Sequence, residues 1–287
     1  MKDYEFPVGW ELVQHVVDDF RKGRQLRDLF LQHSDFSESE LDDFLEALHG
    51  SSQNSVDAFL EEQQDYLNIG IATMSMVLVR CEKSEELYKN RDPWQNWLRN
   101  LLMHMRGTKF DEFHMNAVSF ITFNYDRSLE FFLCRSLAYT FSKSETESGE
   151  IMKKIPIIHL HGRLGYLAWQ EEKGRPYDPT INKEVLDDCI KHVKVVNRNT
   201  ELDADEFSKA KDLLAKAERI YFLGVGFNNE NLARLGVMDL ESNRAQATGV
   251  GLNGNEHNEV SNRFGPSLKI RQNTNCIGLL RNFVAWD

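Results

Sequence analysis

Four cysteines, six prolines and no surplus of basic charge are the shortages of this 287-residue sequence, and each removes a class of protein. Cys81, Cys134, Cys189 and Cys276 lie far apart, with no C-x-x-C and no close Cys/His pairing. That spacing supplies neither a zinc knuckle nor a disulfide framework, so no metal site is expected and the thiols read as free, in a reducing cytosol. Lys and Arg number 34 against 45 Asp and Glu, a formal charge of −11. Affinity for a phosphate backbone is built from Lys and Arg that release counterions, so the balance argues against direct nucleic-acid binding. With 17 Gly and 41% hydrophobic residues the chain is neither collagenous nor disordered, and its length suits one large domain or two modest ones. The start, Met1-Lys2-Asp3-Tyr4-Glu5, carries acids and no apolar core, which is wrong for a signal peptide. The longest uncharged stretch, Tyr66 to Val79, falls short of the roughly 18 to 20 residues of a spanning helix and reads as a buried one. A cytoplasmic protein without direct membrane contact is the expectation, and no repeat of solenoid period is visible.

What is present divides into a helical first part and an alternating second part. From Trp10 to about Arg106 the pattern is helical. Ser37 and Glu40 form an S-x-x-E capping box ahead of Leu41, Phe44, Leu45 and Leu48, which recur at helical spacing. Further helices are expected over Ser55 to Asn68, Ile71 to Tyr88 and Pro93 to Met105. After Met115 the β-branched and aromatic run Ala117 to Phe123 reads as a strand, followed by Asn124-Tyr125-Asp126 and a helix to about Phe141. The polar segment Ser142 to Glu150 separates this from a second strand, Ile155 to Leu160, ending at His161-Gly162. Helix Asp205 to Glu218, strand Arg219 to Leu223, the turn Gly224-Val225-Gly226, helix Asn229 to Leu240 and strand Ala245 to Val250 repeat the order. Alternation of this kind predicts an α/β fold with a parallel sheet covered by helices on both faces, and ligands bound at the carboxyl ends of the strands.

Three clusters fall at those ends: Asn124 with Asp126, His161 with Gly162, and Gly224 with Gly226. Singly each has a bland reading. Asn and Asp favour helix caps, a lone His is more often a satisfied structural group, and G-V-G is far short of a dinucleotide fingerprint.

In combination, ITFNYDRSLE (121–130), IIHLHGRLG (157–165), RIYFLGVGFNNENLARLG (219–236) and ATGVGLNGNEHNEV (247–260) closely resemble the sirtuin-like family of bacterial NAD-consuming effectors of anti-phage defence. FPVGWEL (6–12) looks like the segment after that family's first glycine loop. The resemblance implies a Rossmann-like domain that begins in residues 1–34, carries a helical insertion over 35–115 and resumes over 116–287. It implies that Asn124 and His161 are catalytic, and that Thr122, Asp126, Gly162, Gly224, Gly226 and Phe227 bind NAD, here the substrate. The implied reaction cleaves the nicotinamide–ribose bond to nicotinamide and ADP-ribose, depleting NAD in an abortive infection. It further implies a homo-oligomer held silent until a sensor or regulatory subunit, or a nucleotide signal, acts. The chemistry suits these residue types. His is a natural base near neutral pH, and Asn can hold a ribose hydroxyl or a water in near-attack geometry. His159, two residues earlier, is the competing histidine, and His161 is preferred for its place before Gly at the strand end.

Two departures qualify what the resemblance implies. Protein deacylases of the sirtuin class carry a four-cysteine zinc module that this spacing cannot supply, so deacylation ranks below NAD hydrolysis. The family's first strand and G-A-G-x-S turn would stand before Phe6, where only MKDYE is found. An upstream start, completion by another chain or segment, and a catalytically weak nucleotide-binding or scaffolding subunit are the three expectations that follow. Trp94, Trp97, Leu98, Leu101 and Leu102 are expected to be core rather than a docking stripe. Lys153, Lys154 and Arg163 are candidates for attracting phosphates, and Glu171 to Pro176 has the composition of a lid or hairpin.

Overall fold

The computed structural model describes residues 4, 6, 7, 9–105, 109–195 and 204–286, so of the expected opening segment Met1 to Glu5 only Tyr4 is described. Along these residues run helices α1 (Trp10–Lys22), α2 (Arg24–His33), α3 (Glu38–Gly50), α4 (Val56–Glu62), α5 (Leu67–Val79), α6 (Ser84–Lys89) and α7 (Trp97–Met105). Strands and helices then alternate: β1 (Phe120–Thr122), α8 (Ser128–Phe141), α9 (Glu145–Met152), β2 (Ile157–His159), α10 (Lys183–His192) and α11 (Ala204–Lys216). The order closes with β3 (Ile220–Phe222), α12 (Asn229–Arg234), β4 (Ala245–Gly249), α13 (Gly254–Phe264), β5 (Leu268–Gln272) and α14 (Cys276–Asn282). The described residues are thus mixed α/β, mainly helical, with a two-stranded and a three-stranded sheet among them. None of the helices among the described residues is long and apolar enough to cross a membrane. Two compact units divide it, residues 1–89 with 122–203 and residues 90–121 with 204–287.

The first unit is built around α5. This is the uncharged run of the sequence, and Ile69 to Val79 are all buried. Helices α1, α3, α4 and α10 pack against it. Each offers an apolar stripe, such as Leu12, Val16, Val17 and Phe20 of α1. The capping box of α3 forms as expected: Glu40 N–H donates to Ser37 Oγ at 3.3 Å, and Ser37 N–H donates to Glu40 Oε2 at 2.7 Å. The expected helix from Ile71 to Tyr88 is instead broken after Val79, where Glu82 is drawn into a buried ion cluster, and the chain resumes as α6. The polar segment Ser142 to Glu150 is largely α9, started by a second capping box between Ser144 and Glu147. An S-x-x-E signal in a polar run reads as loop unless the box itself is given weight. Strands β1 and β2 are neighbours, much shorter than the runs Ala117 to Phe123 and Ile155 to Leu160.

The second unit holds the parallel sheet β3-β4-β5, in register at Ile220↔Ala245 and Ala245↔Leu268. Each strand reaches its parallel neighbour through a helix, α12 and then α13, as parallel pairing requires. Ile220, Phe222, Ala245, Ala247, Leu268 and Ile270 are buried, giving the sheet its apolar face. In the same unit Leu98, Leu101 and Leu102 of α7 are core. Trp94 is 49% exposed, with the Arg281 guanidinium 4.5 Å above its ring. The expected start of this helix at Pro93 moves to Trp97, because Asn96 Oδ1 accepts the Arg99 N–H at 3.1 Å and caps it there.

Candidate functional site at the ends of the first strands

In the first unit the segment after Thr122 is fixed by short-range chemistry. Thr122 Oγ1 accepts the Asn124 N–H at 3.0 Å, and Asp126 Oδ1 accepts the Ser128 N–H at 3.1 Å as α8 begins. The capping tendency of Asx residues is therefore in use, and it leaves the Asn124 side chain on an exposed residue. The segment after β2 zips onto this turn: Leu160 N–H donates to the Thr122 carbonyl at 2.9 Å, and Leu164 N–H to the Tyr125 carbonyl at 3.0 Å. Gly162 has φ +71°, and a Cβ there would stand 2.0 Å from the His192 carbonyl oxygen, so no larger residue fits this crossing.

The turn lines an open cleft of about 160 Å³ whose walls include Phe6, Pro7, Gly9, Asp57, Asn124 and Asp126. Phe123 and Tyr125 also face it, and the His161 ring lies beside them, its centroid 5.8 Å from that of Phe123 and 6.3 Å from that of Tyr125. The Tyr125 hydroxyl donates to Asp57 Oδ1, which ties α4 to the turn. Carboxylates and a carboxamide between rings are a donor and acceptor set suited to sugar hydroxyls. The volume is below the roughly 300 to 1,000 Å³ of small-molecule sites.

Asp126 is buried, and burial pushes its carboxyl above the ordinary carboxylate range; hydrogen bonding from Ser128 opposes this and the charge of Glu130 adds to it. An acid whose folded value is raised favours folding most fully below its unfolded value, and that contribution is lost as pH rises through the folded value. Asp126→Asn removes the ionisation. The variant is therefore expected to gain stability relative to the parent as pH rises from about 4 towards neutrality. Melting curves at both ends of that range check it, and a pH-independent difference would contradict the assignment.

Behind the turn lie two buried polar clusters whose partners stand far apart in the sequence. Arg127 and Glu82 are fully buried, with Nε to Oε1 at 2.9 Å and Nη2 to Oε2 at 2.6 Å. Arg175 Nη1 donates to the same Oε2 at 2.7 Å, and Arg127 also donates to the carbonyls of Tyr166, Arg175 and Pro176. The expected lid or hairpin is thus tied inward through Arg175. His159, the rejected histidine, is buried between Glu130 Oε1 at 3.0 Å and the Asn124 carbonyl at 2.9 Å. Partners separated by 29 and 35 residues leave no periodic signal, though H-L-H in a strand did mark the position. Burial pushes the thiols of Cys134 and Cys189 up to about 12, as suits structural cysteines. Arg163 stacks over Tyr166 at 4.7 Å, and Lys153 pairs with Glu150.

The second unit carries the remaining predicted positions past the end of β3. Gly224 has φ +65°, and its N–H donates to Thr248 Oγ1 of β4 at 2.8 Å. At Gly226 nothing stands within 4 Å of where a Cβ would point, which leaves the backbone open to close approach. Phe227 is buried and adopts a positive φ of 53°. Thr122, Asn124, Asp126, His161 and Gly162 are brought together in the first unit, and Gly224, Gly226 and Phe227 in the second. No protein-family model matches the chain, and no curated protein or solved structure matches it significantly.

Proposed function

We propose that the chain is a sirtuin-like NAD glycohydrolase on a Rossmann-like framework, acting in the cytoplasm in anti-phage defence. The observation that carries the reading is the meeting of the T-x-N-Y-D turn with His161-Gly162 beside one open cleft, with Asn124 exposed at it. In this reading the bond from C1′ to the nicotinamide nitrogen breaks and its electron pair leaves with nicotinamide. Positive charge develops on the ribose, as in glycoside hydrolysis. Asn124 holds a ribose hydroxyl or the attacking water; His161 takes the water proton as the C1′–O bond forms and ADP-ribose results. Asp126 is assigned to NAD binding, and a homo-oligomer with a sensor or regulatory subunit is the proposed working form.

Asn124→Ala tests it in the protein assembled with its natural partner and activated. NAD binding should persist while nicotinamide release falls by roughly a hundredfold, the scale of lost positioning. Unchanged release sinks the assignment of Asn124. A nucleotide-binding or scaffolding subunit without turnover is the second reading.

A further inference from the structure

Much of the wall of the cleft beside Asn124 is apolar, with Phe6, Leu12, Leu78 and Phe123, so its few polar side chains carry whatever specificity it has. Those side chains are Asp57, Asn124, Tyr125 and Asp126. Two of them are committed to the protein. Asp126 is buried, with Oδ1 accepting the Ser128 N–H at 3.1 Å, and the Tyr125 hydroxyl donates to Asp57 Oδ1. The Asn124 carboxamide and the second oxygen of Asp57, Oδ2, make no hydrogen bond among the described residues. Asp57 is half-buried, and Oδ2 is not one of the described polar atoms enclosed without a partner, so it stays open to solvent. The residue comes from the helical part of the chain, in the first turn of α4 and 68 positions from Tyr125. An acid there favours the helix, and its tie to Tyr125 holds α4 against the turn. That structural role accounts for Oδ1 and leaves Oδ2 without a use.

We propose that Asp57 is a sugar-binding residue of this cleft, whose Oδ2 accepts a hydroxyl of the bound ribose while the Tyr125 hydroxyl holds Oδ1. Asp57 and Asn124 then grip one sugar from two elements, α4 and the turn after β1. The ligand class that follows is a ribose with its ring hydroxyls free, since a hydroxyl can donate to an oxygen that only needs to accept. Tyr125 neighbours Asn124 in the chain, so the bond to Oδ1 fixes the carboxyl relative to the turn that carries Asn124. An acceptor fixed in advance loses little freedom when the ligand arrives. The assignment rests on the proposed reading of the cleft as an NAD site, where the sugar is the nicotinamide ribose. Hydrogen bonds to the hydroxyl beside the reacting carbon strengthen as positive charge develops on such a ring, so the contact acts on rate as well as on binding.

The deciding experiment crosses protein and ligand in the full chain, assembled with its natural partner and activated. Wild type and Asp57→Ala are each given NAD and two NAD analogues, one lacking the 2′-hydroxyl and one the 3′-hydroxyl of the nicotinamide ribose. Loss of the contacted hydroxyl should cost the wild type roughly tenfold to a hundredfold more in kcat/KM than it costs Asp57→Ala. The intrinsic effect of the missing hydroxyl on bond cleavage is common to both proteins and cancels in the comparison. The analogue that shows the coupling identifies the hydroxyl. Equal costs in both proteins for both analogues overturn the proposal and reduce Asp57 to a tie between α4 and the turn. If Asp57→Ala fails to fold, Asp57→Asn replaces it, keeping an oxygen for the Tyr125 hydroxyl and turning the free acceptor into a donor. Dissociation constants for the same combinations separate this proposal from the hydrolase. An assembly that leaves NAD intact but shows the coupling in its affinities refutes the hydrolase and keeps the assignment of Asp57. NAD turnover with no coupling in either readout does the reverse, and an assembly that neither binds nor cleaves NAD overturns both.

Discussion

His161→Ala is expected to lower NAD turnover by roughly 10² to 10⁴-fold, the usual contribution of a positioned general base, while the fold melts close to the parent. The two halves of that expectation come from different facts. The ring stands at the cleft side, 5.8 Å from Phe123 and 6.3 Å from Tyr125 by centroids, and is only partly buried, so truncation removes little packing. The backbone crossing that fixes its place is made by Gly162 and the His192 carbonyl and does not involve the imidazole. His159→Ala is the informative control, since that ring is 1% exposed and bonded at both nitrogens. It should lose stability and turnover together. Nicotinamide release and thermal melts on both variants check the pair; full turnover in a folded His161→Ala protein would remove this histidine from the chemistry.

Glu82→Gln is expected to be the most destabilising conservative change in the first unit. One carboxylate there faces two guanidinium groups, Arg127 at 2.6 Å and Arg175 at 2.7 Å, with no exposure of either the carboxylate or Arg127. Burial alone would lower Arg127, and the Glu82 charge reverses this and holds it raised. Removing the charge leaves two buried cations without a counter-ion, a loss on the order of 3 to 5 kcal/mol. For a chain of this size that corresponds to a fall in melting temperature of roughly 6 to 20 °C. Arg127→Met should cost less, because Arg175 still neutralises the carboxylate and the methionine fills part of the space. A Glu82→Gln protein melting within about 2 °C of the parent would contradict the account of this cluster.

Local signals were the legible part of the fold. The Ser37 box, the buried run at α5, the strand at Ala245 and the glycine turn after Phe222 could all be read from neighbours within a few residues. Strand β5 and helices α10, α13 and α14 drew no expectation, although Asn182, Asn253 and Asn275 cap the three helices in the ordinary way. Of the candidate site, the polar residues at strand ends were legible because strands end where turn chemistry begins. The groups that hold them were not. Asp57 reaches Tyr125 from 68 positions away and Glu82 reaches Arg175 from 93, and such pairings follow from tertiary packing alone. His159 shows the limit most plainly: two histidines two residues apart differ in burial and partners for reasons that reside in Glu130 and Asn124.

The central claim, that the cleft beside Asn124 and His161 serves NAD cleavage, is tested most directly by chromatography of nicotinamide and ADP-ribose from the protein assembled with its natural partner and activated. The account predicts the two products in equal amounts and their disappearance with His161→Ala. NAD that is bound by the activated assembly and recovered intact would contradict it.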